Sequence, residues 1–256
     1  MKTLVVAQQK GGVGKTSSLV HLAFDFLERG LRVAVIDLDT QGNASFTLQS
    51  FDSGYRASQM FDQRGAQLRR AFADLPPGPL LSLIGSDGVL ADMEKRSLGT
   101  AAAAFKDNVQ ALAATGFDVA LIDTAPALGV GLAAALYAAD FVVSPIELEA
   151  YSIQGIRKML TTIANVRKVN TGLKFIGMVP SKVDARNPRH VRHQVELRAA
   201  YPQLMIPVSI GLRSSIADAL ASGVPVWRVR KTAARKATRE VRALAAYVLD
   251  AMEIEQ

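Results

Sequence analysis

The most constraining feature of this chain lies near its start. The run Gln8-Gln9-Lys10-Gly11-Gly12-Val13-Gly14-Lys15-Thr16-Ser17-Ser18 follows an apolar, β-branched stretch and opens a helical pattern. A strand, a glycine-rich turn and a helix in that order predict a parallel α/β sheet with the turn at a strand's carboxyl end. Gly11, Gly12 and Gly14 let the backbone curl until successive N–H groups, those of Lys10 and Val13 among them, converge on one anion. The helix N-terminus adds its partial positive charge. Lys15 is placed to reach the β and γ phosphates of a nucleoside triphosphate, and the Thr16 hydroxyl to ligate Mg²⁺. Ser17 can donate a further hydrogen bond to phosphate. The expected ligands are ATP and Mg²⁺, and hydrolysis is the expected reaction.

The rest of the chain repeats the same alternation. Short Val/Ile/Leu runs at residues 4–7, 33–36, 80–84, 119–122, 141–143, 174–179 and 205–208 read as strands. Helical patterns fall at 16–27, 101–114, 152–166, 189–200, 214–222 and 233–252. Continuous apolar strands separated by helices predict a doubly wound, mostly parallel sheet covered on both faces, within a single domain spanning 1–256. Residues 43–79 are the least regular; they read either as a mobile insertion or as a long connection holding a helix or two.

Two carboxylate segments follow the loop in the order a nucleotide site needs. Val33-Ala34-Val35-Ile36-Asp37-Leu38-Asp39 ends a strand in paired acids, and Val119-Ala120-Leu121-Ile122-Asp123 ends another in one. Carboxylates at such strand ends can orient water and hold a metal's hydration shell. Asp123 would hold Mg²⁺ through water; Asp37 reads equally well as a carboxylate held by backbone N–H groups.

Charge and composition narrow the partners. The net charge is +7, but residues 182–239 alone carry 12 Lys/Arg against three acids, a local +9 that leaves the remainder at −2. A basic segment beside a near-neutral remainder points to a polyanion. The chain has no cysteine, which excludes thiol chemistry and cysteine-held clusters and fits a reducing compartment. The three histidines, His21, His190 and His193, form no metal set. No apolar run reaches the ~18–20 residues of a membrane span, and the N-terminus is too short for a signal peptide.

Position 9 departs from the general pattern G-x-x-x-x-G-K-[ST]: it is Gln9, followed by a second lysine, Lys10. This form resembles the deviant Walker A motif of the ParA/MinD class of P-loop ATPases. The segment Asp37-Leu38-Asp39-Thr40-Gln41-Gly42-Asn43 is similar to that class's D-x-D-P-Q-G-N, with Thr40 for proline. Val119 to Pro126 resembles its Walker B element. The likeness continues through Ala139 to Glu147, Tyr151 to Ile156, and Ile206-Pro207 to Val226, and so covers nearly the whole chain. The resemblance implies that Lys10 crosses a homodimer interface to the partner's phosphates, that Asp39 positions the attacking water and that Asp37 supports the metal region. It places adenine contacts at the ends of the 174–179 and 205–208 strands, at Lys182 or Pro207.

Within the class the Q-K-G-G-V-G-K-T form is most similar to ParA, the DNA-segregation ATPase. That likeness implies an ATP-dependent homodimer on double-stranded DNA without sequence preference, released when a ParB-like partner stimulates slow hydrolysis. It also implies a cytoplasmic, nucleoid-associated protein. Because the first strand begins near residue 3, the short form of the class without an N-terminal helix-turn-helix is expected, and operon repression is not. Two basic clusters fit backbone contact with DNA: Lys182, Arg186, Arg189, Arg192 and Arg198, then Arg228, Arg230, Lys231, Arg235, Lys236 and Arg239. Arg213 between them resembles an arginine of the family's DNA-binding surface. Aromatics there are few (Tyr201 and Trp227), which favours duplex contact over base stacking; Trp227 reads as core packing. Three rivals stand beside this reading. One is a ParA-like positioner of protein cargo. Another is a MinD-like membrane regulator, disfavoured by the acidic end Glu253-Ile254-Glu255-Gln256. The third is a small-molecule P-loop enzyme that phosphorylates or amidates a metabolite.

Overall fold

The protein is described by a computed structural model over residues 1–62, 65–93, 95–149 and 152–254. Among the described residues seven strands, β1 (Lys2–Val6), β2 (Arg32–Asp37), β3 (Asp52–Arg56), β4 (Leu80–Gly85), β5 (Val119–Asp123), β6 (Phe141–Ile146) and β7 (Lys174–Pro180), form one sheet. Their order is β3-β4-β2-β5-β1-β6-β7, and every pairing is parallel. The helices are α1 (Lys15–Glu28), α2 (Asn43–Thr47), α3 (Gly65–Ala71), α4 (Leu90–Met93), α5 (Leu98–Ala113), α6 (Val130–Ala138), α7 (Ser152–Arg167), α8 (Pro188–Ala200), α9 (Ser214–Ala221) and α10 (Thr232–Ala251).

The double winding is visible in the strands' alternation. Leu4 and Val6, Val33 and Val35, and Val119 and Leu121 face a core completed by α1, α9 and α10. Their neighbours Val5, Ala34, Ile36, Ala120 and Ile122 face the other core, completed by α3, α5, α6 and α7. Strands buried on both faces read as unbroken apolar runs. The last helix is tied down by Val241, Leu244, Ala245, Val248 and Leu249, all buried. Each such Val or Leu contributes roughly 1.5–3 kcal/mol.

One sequence expectation is corrected, one open alternative goes to the connection holding helices, and other elements had escaped the sequence. Residues 205–208 form no strand: a single parallel bridge joins Met178 to Met205, and the next donor the ladder needs would come from Pro180, which has no N–H and whose carbonyl accepts from Ile210 instead. Residues 43–79 are built structure in their described part, holding α2, α3 and the edge strand β3. That strand, Asp-Ser-Gly-Tyr-Arg, buries only Tyr55, so no apolar run announces it. Helix α6, missed in the sequence, is apolar all round and has no period to detect.

Candidate nucleotide site and basic surface

The phosphate loop connects β1 to α1. Gly14, with φ 91°, is the residue that opens the helix, and a Cβ there would sit 2.7 Å from Ser181 Oγ. Gly12 also has positive φ, at 74°. Both conformations are open to glycine and strained for other residues. Gln9, standing where the general pattern has glycine, donates from Nε2 to Thr162 Oγ1 of α7 at 3.1 Å and so anchors the loop to that helix. Gln8 accepts from the Gln9 N–H at 2.7 Å and donates to Ser144 of β6.

Parallel register brings the acids to the loop. Val6 of β1 lies opposite Asp123 of β5, which lies opposite Asp37 of β2. Thr16 Oγ1 donates to Asp123 Oδ2 at 2.6 Å. Asp123 is wholly buried, and burial with the Asp37 charge beside it pushes its pKa up to about 7 against the pull of Thr16 and Lys15. Burial likewise pushes the Lys15 ammonium down, with Asp123 and Asp39 opposing. Asp37 is raised by burial too, although it accepts from Ser45 N at 2.8 Å, Ser45 Oγ at 2.7 Å and Asp39 N at 3.1 Å. Its oxygens therefore hold the turn that carries Asp39. That turn is fixed further by Ser86, which donates to the Asp39 carbonyl at 2.7 Å, and by the Gln41 N–H on Asp39 Oδ1 at 3.0 Å.

Lys10 accepts from the Lys15 ammonium through its carbonyl at 3.4 Å and sends its own side chain to the loop's outer edge. Its ammonium is half exposed and bridges Glu147 Oε2, at 2.8 Å, and Glu149. Those hydrogen bonds raise its pKa. Lys182, in a left-handed conformation with φ 54°, has its ammonium 3.6 Å from the same Glu147. The strand-end residue before it, Ser181, is the one that crowds Gly14. Among the described residues no three His, Asp or Glu side chains form an all-protein cation cage.

The basic residues gather on another surface. A cleft of about 570 Å³ lies between the α8 side, with Val183, Ala185 and Gln194, and α10, with Lys236, Arg239 and Glu240. Pro207 and Arg213 line it as well, so Pro207 sits with these basic groups. Arg213 is largely buried, gripping Glu240 through Nη2 at 2.6 Å and Nε at 3.2 Å. A second cleft of about 390 Å³ at the start of α10 is lined by Arg230, Lys231 and Arg235 with Trp227. Lys231 pairs with Asp218 at 2.5 Å. Arg189 and Arg192 are exposed on α8 and Arg186 in the loop before it; Arg192 lies 3.9 Å from Glu196 and Arg186 bonds Asp184. Trp227 is only partly core: its Nε1 donates to Glu28 at 2.7 Å, and Arg242 stacks 3.9 Å above its ring.

Sequence reasoning overlooked the supporting hydroxyls Ser45, Ser86, Thr162 and Ser181. Ser86, Thr162 and Ser181 act only through contacts distant along the chain, and Ser45, eight positions after Asp37, carries no mark of its bond to that carboxylate. Glu147 lay inside a recognised segment, but its hold on Lys10 spans 137 positions.

A glycine-rich loop opening a helix at the end of a central parallel strand, with a buried Thr–Asp pair behind it, defines a P-loop nucleotide-binding protein. A family described as an AAA domain matches residues 1–175. Protein IncC of Escherichia coli is 67% identical over 262 residues, covering 100% of this chain and 71% of that protein. Chromosome partitioning protein ParA of Caulobacter vibrioides is 30% identical over 231 residues, covering 88% and 86%. The fold is also similar to that of Cobyrinic Acid a,c-diamide synthase from Mycobacterium smegmatis with bound ADP and magnesium. The TM-score there is 0.74 at 25% identity, covering 100% of this chain and 97% of that one. The chain belongs to the family of ParA-type partition ATPases.

Proposed function

We propose that this chain is a DNA-segregation ATPase whose ATP-bound homodimer holds double-stranded DNA without sequence preference and lets go on hydrolysis stimulated by a ParB-like partner. The observation that carries the nucleotide part is the meeting of Lys15, Thr16 and Asp123 beneath a loop opened by Gly12 and Gly14. A buried carboxylate with its pKa near 7 is poorly compensated, and a divalent cation beside Thr16 would compensate it. Mg²⁺ would be held by Thr16, with Asp123 behind it and Asp37 acting through the turn it organises; bound there, it neutralises charge developing on the phosphates.

The protein's own groups then divide the work. Backbone N–H groups from Gly11 to Ser17 and the Lys15 ammonium bind the phosphates. Asp39, held by Gln41 and Ser86, takes the proton side of an attacking water and aligns it. Lys10 reaches a partner's phosphates, which requires it to leave Glu147 and Glu149. Phe46, Leu128 and Ile153, all exposed on segments that follow strand carboxyl ends, give a second copy apolar surface around the site. Lys182 stands beside this face, near Glu147, and suits an adenine contact better than Pro207, which lines the basic cleft.

DNA binding rests on two basic clusters, one on α8 and the loop before it and the other at α10 and its approach, with Arg213, Lys236 and Arg239 lining the cleft between the two elements. Lys182, Arg186, Arg189, Arg192, Arg213, Arg230, Lys231, Arg235 and Lys236 would make phosphate contacts that two subunits double. Such a protein is cytoplasmic and nucleoid-associated. A MinD-like reading is disfavoured, because the apolar face of α10 is spent in the core; no helix among the described residues is long and apolar enough to cross a membrane. The acidic tip Glu255-Gln256, offered against a membrane role, lies outside the described residues. Co-sedimentation with random duplex DNA tests the switch: binding should need ATP and weaken with salt, and Asp39→Ala should stay trapped on DNA. Equal binding without ATP refutes it.

A further inference from the structure

Away from the nucleotide and basic surfaces, helices α5, α6 and α7 leave an open groove of about 490 Å³ between them. Its walls are apolar: Leu98 and Ala102 from α5, Ala133 and Tyr137 from α6, Val166 from α7 and Val169 from the turn after it. The apolar surface continues onto the rims, where Leu98 is 49% and Val169 67% exposed. Exposed aliphatic side chains on both rims suit an elongated occupant better than a small molecule sunk in a cavity.

The flanks are basic. The Lys106 ammonium stands 4.6 Å from the centre of the Tyr137 ring, and Lys168 donates to Asn165 Oδ1 at 3.0 Å. Tyr137 and Asn165 both line the groove, so each lysine is fixed at its edge, and among the described residues no acidic side chain lines it. An apolar floor between two positive edges is complementary to a helix with an apolar stripe and acidic flanks.

We propose that this groove docks an amphipathic, acidic helical segment of a partner protein. The lysines set the polarity of the partner, and Leu98, Tyr137 and Val169 supply the anchoring contact. This surface is separate from the nucleotide loop, so a partner could remain attached through the nucleotide cycle.

The test uses the full chain and fluorescein-labelled 16-residue helical peptides with Leu at i, i+3, i+4 and i+7. One peptide carries Glu elsewhere; a second carries Lys. Anisotropy should show saturable binding of the Glu peptide and at least about tenfold weaker binding of the Lys peptide. Lys106→Glu with Lys168→Glu should reverse that preference. Val169→Glu should abolish binding of the Glu peptide, with ATP hydrolysis and circular dichroism unchanged for both variants. The proposal is overturned if the two peptides bind alike, if the reversals leave the preference intact, or if only a small apolar dye occupies the groove.

Discussion

Replacing Asp123 with Asn tests the electrostatics of the site in the nucleotide-free protein. The carboxyl's pKa is about 7 in the fold against an ordinary 3.8, and the side chain is wholly buried. Because the folded value is raised, the folded state keeps a proton that the unfolded state has released between those values. Stability contributed by this group therefore falls as pH rises from about 4 to about 7. At roughly 1.4 kcal/mol per unit, the ionised carboxylate costs about 4 kcal/mol at pH 8. Asn cannot ionise and still offers Thr16 an acceptor. Asp123→Asn should then be more stable than the parent by about 4 kcal/mol at pH 8 and about 2 kcal/mol at pH 5, the difference vanishing near pH 4. Urea unfolding followed by the fluorescence of Trp227, the sole tryptophan, reads this directly. The same variant should lose the stabilisation that Mg-ATP confers on the parent. An offset that does not change with pH, or a loss of stability at pH 8, would refute the account of a strained buried charge.

Other expectations follow from the same geometry. Lys10→Ala should bind ATP like the parent yet fail to dimerise with it by light scattering, whereas Lys15→Ala should lose nucleotide binding by calorimetry. Arg213→Ala should cost about 1–3 kcal/mol in denaturant melts by leaving the mostly buried Glu240 carboxylate without its cation, held only by the Gly211 N–H. Exchanging the two, Arg213→Glu with Glu240→Arg, should restore part of that stability without restoring DNA binding. Arg235→Glu with Lys236→Glu should lower the slope of log affinity against log salt on random duplex by about 2, since each basic side chain neutralises one DNA phosphate. Gly14→Ala should lose nucleotide binding, since it combines a φ of 91° with a 2.7 Å approach to Ser181.

The phosphate loop, the strand-end acids and the basic segment were legible because each is written in contiguous residues with a mechanism attached. Strands in the interior announced themselves for the same reason: burial on both faces demands unbroken Val, Ile and Leu. Strand β3 did not, because an edge strand that buries only Tyr55 needs no apolar run, and α6 did not, because a helix apolar all round has no periodicity. The predicted strand at 205–208 failed where the ladder's next donor falls on Pro180 of β7, which has no N–H.

The loop itself marks the division most clearly. Sequence alone determined that an anion site forms there, since glycine conformations and a helix start are local properties of the chain. It also marked Lys10 as a second lysine. Only the tertiary structure decided what that lysine does at rest, gripped by Glu147 and Glu149 at the end of the neighbouring strand β6, and that Gln9 reaches Thr162. Register did the same for Asp123, setting it against Thr16 and Asp37 in a dry site where its charge is costly. Those energies depend on distance and burial, which are settled by the packing of segments more than 80 positions apart and cannot be written into any one of them.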